Sequence, residues 1–285
     1  MRLLKRICSV GLLAALCFAT VVHAQAPVAA PLAVLGLSPL AGGLLTVNVN
    51  VAGHSALMLF DTGAGETVIG KDLVARIGCT PYGQFTGFRQ NGQRLDLPRC
   101  GPVVFNVGGV PLEGYTAVFD VTELPDWPPE FPSVDGTLAL PATNVEPFTL
   151  DLSGRKVYLE SRASLAARTQ GLVPSPIRLQ LDDRGRAVDI FLQVAAQPEP
   201  LWFLMDSGNV ARTIMAPHAF ESLGRPRPAV GAPTAASLVV GGQPYSDNEV
   251  DVEDIIYDGN LGAAFLNRYV VTIDMQAMQA WIVPK

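Results

Sequence analysis

Two short segments of the 285-residue chain place a carboxylate directly before a hydroxyl residue and a glycine: Asp61-Thr62-Gly63 and Asp206-Ser207-Gly208. An apolar run leads into each, Leu57 to Phe60 and Leu201 to Met205, so the chain before it reads as a buried strand. The glycine then permits a tight turn that holds the carboxylate at its tip. Two such loops facing one another would bring like charges close enough to share a proton, one carboxyl titrating low and its neighbour high. The ionised member can take a proton from a water held between them while the protonated member polarises a carbonyl. Asp61 and Asp206 are therefore the candidate catalytic residues, with Thr62, Gly63, Ser207 and Gly208 supporting their loops. This chemistry calls for no metal and no cofactor. A single Asp of this kind more often caps a turn; the two gain weight from their places in a repeat.

The elements needed to position them occur twice. Before Asp61 runs an alternating segment, Leu45 to Val51; before Asp206 run Ile177 to Leu181 and Ile190 to Val194. After each Asp comes a second short apolar segment, Thr67 to Ile69 and Thr213 to Met215. A helical stretch closed by glycine follows, Lys71 to Ile77 before Gly78 and Ala216 to Leu223 before Gly224. Asp135-Gly136 then matches Asp258-Gly259, and Thr149 to Asp151 matches Thr272 to Asp274 at the same interval. Val157 to Leu159 and Ala280 to Val283 give a last strand in each half. Internal duplication with period-two apolar patterning, frequent Gly and Pro, and few helical stretches predicts mostly β structure in two similar lobes.

With these residues on the page, the chain resembles the aspartic proteases, pepsin-like and retropepsin-like. The resemblance rests on Asp61 to Ala64, Asp206 to Asn209, and Leu261 to Leu266 with the following Thr272 to Asp274. It implies an all-β, two-lobed fold with pseudo-twofold symmetry and an endopeptidase that activates water between Asp61 and Asp206. It also implies mutually hydrogen-bonded hydroxyls of Thr62 and Ser207 beneath the dyad. Three positions depart from the family pattern. Ala64 and Asn209 stand where pepsin-like enzymes carry a Ser or Thr that donates to the outer carboxylate oxygen, and Ala139 replaces a glycine that its counterpart Gly262 keeps. A carboxylate that loses such a bond titrates higher, which predicts activity at milder acidity; Ala139 in place of glycine predicts a slightly distorted first lobe. The second reading is a catalytically weak or inactive peptide-binding or inhibitor protein of the cell envelope; a structural envelope protein is a third.

The first half carries 22 more residues between its paired Asp positions than the second, 74 against 52. The excess holds Asn91-Gly92 between possible strands, a strong signal for a tight hairpin. The resemblance makes this hairpin the flap that closes over a bound peptide, with Phe88, Gln90, Asn91 and Gly92 as contacts; an ordinary surface hairpin is the other reading. Cys79 and Cys100 flank it and would staple its base. Trp127, set among Pro125, Pro128, Pro129 and Pro132, is expected to cross the lobe surface rather than line a subsite. His54 and His218 are expected to be surface or structural.

Length and composition bound the rest. Apolar residues make up 49% of the chain and charged residues 16%, which excludes disorder. Arg2, Lys5 and Arg6, an apolar run from Ile7 to Val22, and Val22-His23-Ala24 form an export signal over 1–24. The chain then reads as an Ala/Pro-rich tether or loose first strand over 25–43, a first lobe over 44–160, a linker over 161–176 and a second lobe over 177–285. Losing the signal leaves 17 basic against 26 acidic residues, and no basic cluster remains to meet nucleic acid. Cys8 and Cys17 leave with the signal, so Cys79 and Cys100 pair by default in an oxidising compartment. The expected product is a periplasmic or secreted monomer that takes a peptide or protein substrate and keeps no integral membrane segment.

Overall fold

The computed structural model describes residues 29–124, 127–139, 146–182, 187–232 and 234–285. The expected export signal over 1–24, with Cys8 and Cys17, lies outside them. So does Pro125. No helix among the described residues is long and apolar enough to cross a membrane.

Most of the secondary structure is strand, in an eight-stranded and a twelve-stranded sheet. Alternation in the sequence becomes alternation in burial: in Leu45–Val51 the valines at 47, 49 and 51 point inward and Asn48 and Asn50 outward. The strand pairs antiparallel with His54–Phe60, which ends at the first Asp loop. Beside it, Gly136–Leu138 runs parallel, with Met58, Leu59 and Phe60 opposite Gly136, Thr137 and Leu138. The second half repeats this register: Phe203, Leu204 and Met205 face Gly259, Asn260 and Leu261, also in parallel. The first Asp amide donates to Leu138 O and the second to Leu261 O, both at 3.1 Å. Ala139 therefore leaves the ladder of the first lobe in the same register as that of the second, against the expected distortion.

The glycines of the repeated Asp-Gly pairs have a steric cause. A Cβ on Gly136 would stand 2.1 Å from the carbonyl oxygen of Val68, and one on Gly259 would stand 2.5 Å from the Phe203 ring. The aspartates brace the same crossing. Asp135 Oδ2 accepts from the Leu57 amide and Asp258 Oδ2 from the Trp202 amide, both at 2.8 Å. Arg76 pairs with Asp135 and His218 with Asp258, so His218 is the structural residue expected of it.

The halves meet in a floor of antiparallel strands. Phe148, Thr149 and Leu150 pair with Ile273, Thr272 and Val271, which places the matched Thr-x-Asp segments against each other on the pseudo-twofold axis. Thr149 gives its hydroxyl proton to buried Glu160 at 2.8 Å, so the 2.9 Å contact between the two threonine hydroxyls has Thr272 as donor. Glu160 also accepts from Ser164 and Arg168, both at 2.5 Å. These two stand on the helix Arg162–Thr169, which Ser161 caps, within the expected linker. Of the two readings of 25–43, the first strand holds for Ala33–Gly36, the edge strand of this floor, paired with Lys156–Leu159, with Ala33 and Leu35 buried.

The additional residues of the first half form a hairpin of Tyr82–Phe88 and Arg94–Val107. A disulfide between Cys79 and Cys100 closes a 21-residue separation across its base, and the Cys100 side is fully buried. Closing a loop of this length removes about 3 kcal/mol of unfolded-chain entropy. Replacing both cysteines by serine is expected to lower the unfolding free energy by about that amount, read from denaturant midpoints of the variant and the oxidised wild type.

A candidate paired-carboxylate cleft

Thr62 and Ser207, each the residue after an Asp, lock the two loops together. The Thr62 hydroxyl donates to Met205 O at 2.7 Å and accepts from the Ser207 amide at 3.0 Å. In reverse, the Ser207 hydroxyl donates to Phe60 O at 3.2 Å and accepts from the Thr62 amide at 3.0 Å. The expected bond between the hydroxyls is replaced by four crosswise bonds to backbone. All are buried, so none competes with water.

The glycines that follow explain themselves by what a side chain would strike. A Cβ on Gly63 would lie 2.4 Å from Asp206 Cγ, and one on Gly208 would lie 2.5 Å from Asp61 Cγ. Each loop thus gives way to the carboxylate of the other, and the two acids stand side by side. Asp61 Oδ1 accepts from Gly63 at 2.8 Å and from Gly208 at 3.2 Å; Asp206 Oδ1 accepts from Gly208 at 2.9 Å and Asn209 at 3.0 Å. The Gly208 amide therefore bridges both. Burial, and after it the charge of Asp206, push the Asp61 carboxyl well above its ordinary value; the Gly63 and Gly208 amides offset this only in part. The cause of this rise is desolvation and the neighbouring charge rather than a missing donor.

The symmetry ends at the outer oxygen of Asp206. Asn260, fully buried on the strand Gly259–Leu261, donates to it at 2.6 Å. Its second N–H goes to Gln90 Oε1 at 2.9 Å, and its Oδ1 accepts from Asn209 Nδ2 at 2.9 Å. The donor expected to be missing at Asn209 is thus supplied by relay through Asn260. Gly262 is glycine because Asn209 packs there, its carbonyl oxygen 2.4 Å from where a Cβ would stand. Asn260 was not singled out from the sequence. The one signal was that its repeat partner is Thr137, a polar pair of unlike type at a buried strand position.

Gln90 stands at the flap tip. Arg89 and Gln93 close the turn by an amide-to-carbonyl bond of 2.8 Å, Asn91 accepts from the Gln93 amide at 3.0 Å, and Gly92 adopts φ +79°. Asn91 and Gly92 therefore build the turn, whereas Gln90 carries it across the cleft: its carbonyl also accepts from the Ile256 amide at 2.9 Å. The flap is shut against the opposite lobe. At its other end, Arg99 on the long flap strand pairs with Glu66 of the first Asp loop, both buried, and its guanidinium lies 5.1 Å from the centre of the Phe85 ring.

A cavity of about 160 Å³ lies beneath the flap between Phe85, Phe88, Leu95, Leu97, Ile256 and Tyr257. A second, about 420 Å³, opens beside Asp61 and is walled by Leu59, Val121, Leu124, Trp127, Phe131 and Val210. Trp127 and Phe131 pack edge to face with ring centres 5.6 Å apart. The Trp127 loop thus lines the cleft, which corrects its assignment to the outer surface.

No family model matches the chain, and no curated protein does. Solved structures that match it include basic 7S globulin from soybean, at 10% identity over 88% of this chain and 94% of that one with a TM-score of 0.56. Conglutin gamma, a basic 7S globulin from lupine seeds, matches at 10% identity over 89% and 95% with a TM-score of 0.57. EDGP matches at 12% over 90% and 96%, with a TM-score of 0.56. At such identity the likeness is one of fold, and the fold is the all-β, two-lobed, pepsin-like one that the duplication predicts. Membership of the aspartic proteases is corrected by the same comparisons: the chain aligns with the two 7S globulins and with EDGP. The endopeptidase and hydrolase assignments, and proteolysis as its process, fall with it. In the cleft the flap tip is bonded down on the opposite lobe, Gln90 accepting from the Asn260 side chain and from the Ile256 amide.

Two outcomes follow from this geometry. Asn260→Ala removes the side-chain half of the flap contact, worth about 1 kcal/mol, so amide hydrogen exchange over residues 89–93 is expected to quicken about fivefold. A carboxyl whose folded pKa lies above its unfolded value stabilises the fold fully below the ordinary value of 3.8 and loses that contribution as pH rises through the folded pKa. Melting temperatures of the wild type are therefore expected to fall between about pH 4 and pH 7, and those of Asp61→Asn to fall less over the same range.

Proposed function

We propose that the chain is an exported peptide-binding protein whose paired carboxylates grip a ligand without turning it over. The observation that carries this reading is the flap tip bonded to the opposite lobe, Gln90 accepting from the Asn260 side chain and from the Ile256 amide, both at 2.9 Å. A general base needs room for the water it activates; here Asn260 joins the outer oxygen of Asp206 to the flap tip that covers it. What the dyad keeps is Asp61, whose carboxyl is pushed well above its ordinary value by desolvation and by the neighbouring Asp206 charge, so that in its protonated form it is a hydrogen-bond donor suited to a peptide carbonyl.

The apolar cavities beside the dyad supply complementary surface. Large side chains on either side of a central peptide bond would fill the pockets at Phe85 and Trp127, with hydrophobic gain of about 2 kcal/mol for each aromatic ring buried. An extended ligand enters when the Gln90 contacts release, and the hairpin closes again over it. Both carboxylates come from one chain, so a monomer suffices. The Cys79–Cys100 disulfide fits an exported chain, and the export signal read from 1–24 supports a periplasmic or secreted protein.

Incubating the purified protein with a mixed heptapeptide library from pH 3 to pH 7 tests this reading. Peptides recovered with the protein after gel filtration, intact by mass spectrometry and enriched in adjacent bulky apolar residues, are the expected result. Cleavage that disappears in both Asp61→Asn and Asp206→Asn would overturn it, as would a failure to retain any peptide.

A further inference from the structure

Beyond the cavity under the flap, on the side away from Trp127, a groove of about 260 Å³ runs along the second lobe. Gln180, Ile256 and Tyr257 line both spaces, so the two form one trough leading outward from the first Asp loop. Its inner wall is aromatic: Phe191 and Tyr257 pack edge to face at 5.0 Å. Its outer end carries Arg178, whose guanidinium carbon lies 4.3 Å from the centre of the Trp202 ring.

The charges facing this groove are few. Asp258 is committed, one oxygen to the Trp202 amide at 2.8 Å and the other to His218 at 2.9 Å. Asp189, on the inner cavity, accepts from the Tyr257 hydroxyl at 3.1 Å. Arg178 is exposed and has no carboxylate partner among the described residues, although the chain as a whole carries a net charge of −6. A guanidinium stacked on an indole satisfies its face and leaves its in-plane N–H groups for a planar acceptor; two parallel bonds to one carboxylate fit that fork.

We infer that the Arg178–Trp202 groove is a carboxylate-recognition subsite, and that the peptides held in the cleft are those bearing a carboxylate beyond the pocket at Phe85 and Phe88. The inference rests on the peptide-binding reading and adds the ligand class. The carboxylate is either the C-terminus of the peptide or the side chain of an Asp or Glu; both offer the same two oxygens.

Titration calorimetry of the purified protein with heptapeptides centred on two phenylalanines separates the sources. Each peptide is made as free acid and as amide, and with Glu or Gln next to the last residue. The expected result is about tenfold tighter binding of the carboxylate-bearing member of a pair. The acid-to-amide ratio carries it if the C-terminus is recognised, and the Glu-to-Gln ratio if a side chain is. In Arg178→Gln that ratio falls to about one while the neutral peptide keeps its affinity within about twofold; Arg178→Lys, which keeps charge without the planar fork, lies between. Equal binding of all four peptides to the wild type, or a ratio that survives in Arg178→Gln, overturns the subsite and leaves peptide binding standing. Failure of every peptide to bind either protein overturns both.

Discussion

Everything in the cleft depends on four buried hydrogen bonds that cross between Thr62 and Ser207. Each hydroxyl accepts from the opposite amide and donates to the opposite lobe's carbonyl, so neither loop reaches its observed position without the other. Because these groups are shut off from water, leaving one unpaired would cost about 1–3 kcal/mol. The side-by-side carboxylates, the Gly208 amide between them and the cavities to either side are consequences of that crossing. The Thr149–Thr272 contact in the floor stands on the same axis and sets the lobes' approach from below.

Around this symmetric centre the two halves have diverged in a directed way. Thr137 and Asn260 hold matching places on matching strands, yet only Asn260 reaches a carboxylate. Its three hydrogen bonds join the second Asp loop, the strand beneath it and the flap of the other lobe, so one amide group senses whether the flap is down. The shared dyad becomes asymmetric for the same reason: Asn260 ties the outer oxygen of Asp206 to a neutral donor, and Asp61 has no matching donor from Thr137.

The parts legible in the sequence are those whose residue types are dictated locally. Asp61 and Asp206 announced themselves because their glycines must make way for the opposite carboxylate, and Gly136 and Gly259 because their strands cross too closely for a side chain. Alternation in Leu45–Val51 and the Asn91-Gly92 turn are likewise local, and the fold class follows from them. Asn260 was not legible, since its role is set by Asn209 and by Gln90, the latter 170 positions away. Ala33–Gly36 lacks alternating polarity, and its partner Lys156–Leu159 decides that it is a strand. Trp127 faces the cleft because Phe131 and the first Asp loop are there to receive it, which its proline-rich surroundings do not encode. The comparisons bear on the fold alone, whereas a pair of Asp-Thr/Ser-Gly loops had joined fold and activity.

That both halves lie on one polypeptide bears on how such a cleft can change over evolutionary time. In a dimer of identical halves, every substitution is written twice: an asparagine at the strand position beside one acid would stand beside the other as well. A tandem gene lifts that restriction, because Thr137 and Asn260 are inherited as separate letters. Asymmetry at the centre of a two-fold structure, and with it the freedom to trade chemistry for recognition on one side only, is a property of the duplicated chain that its symmetric half could not have had.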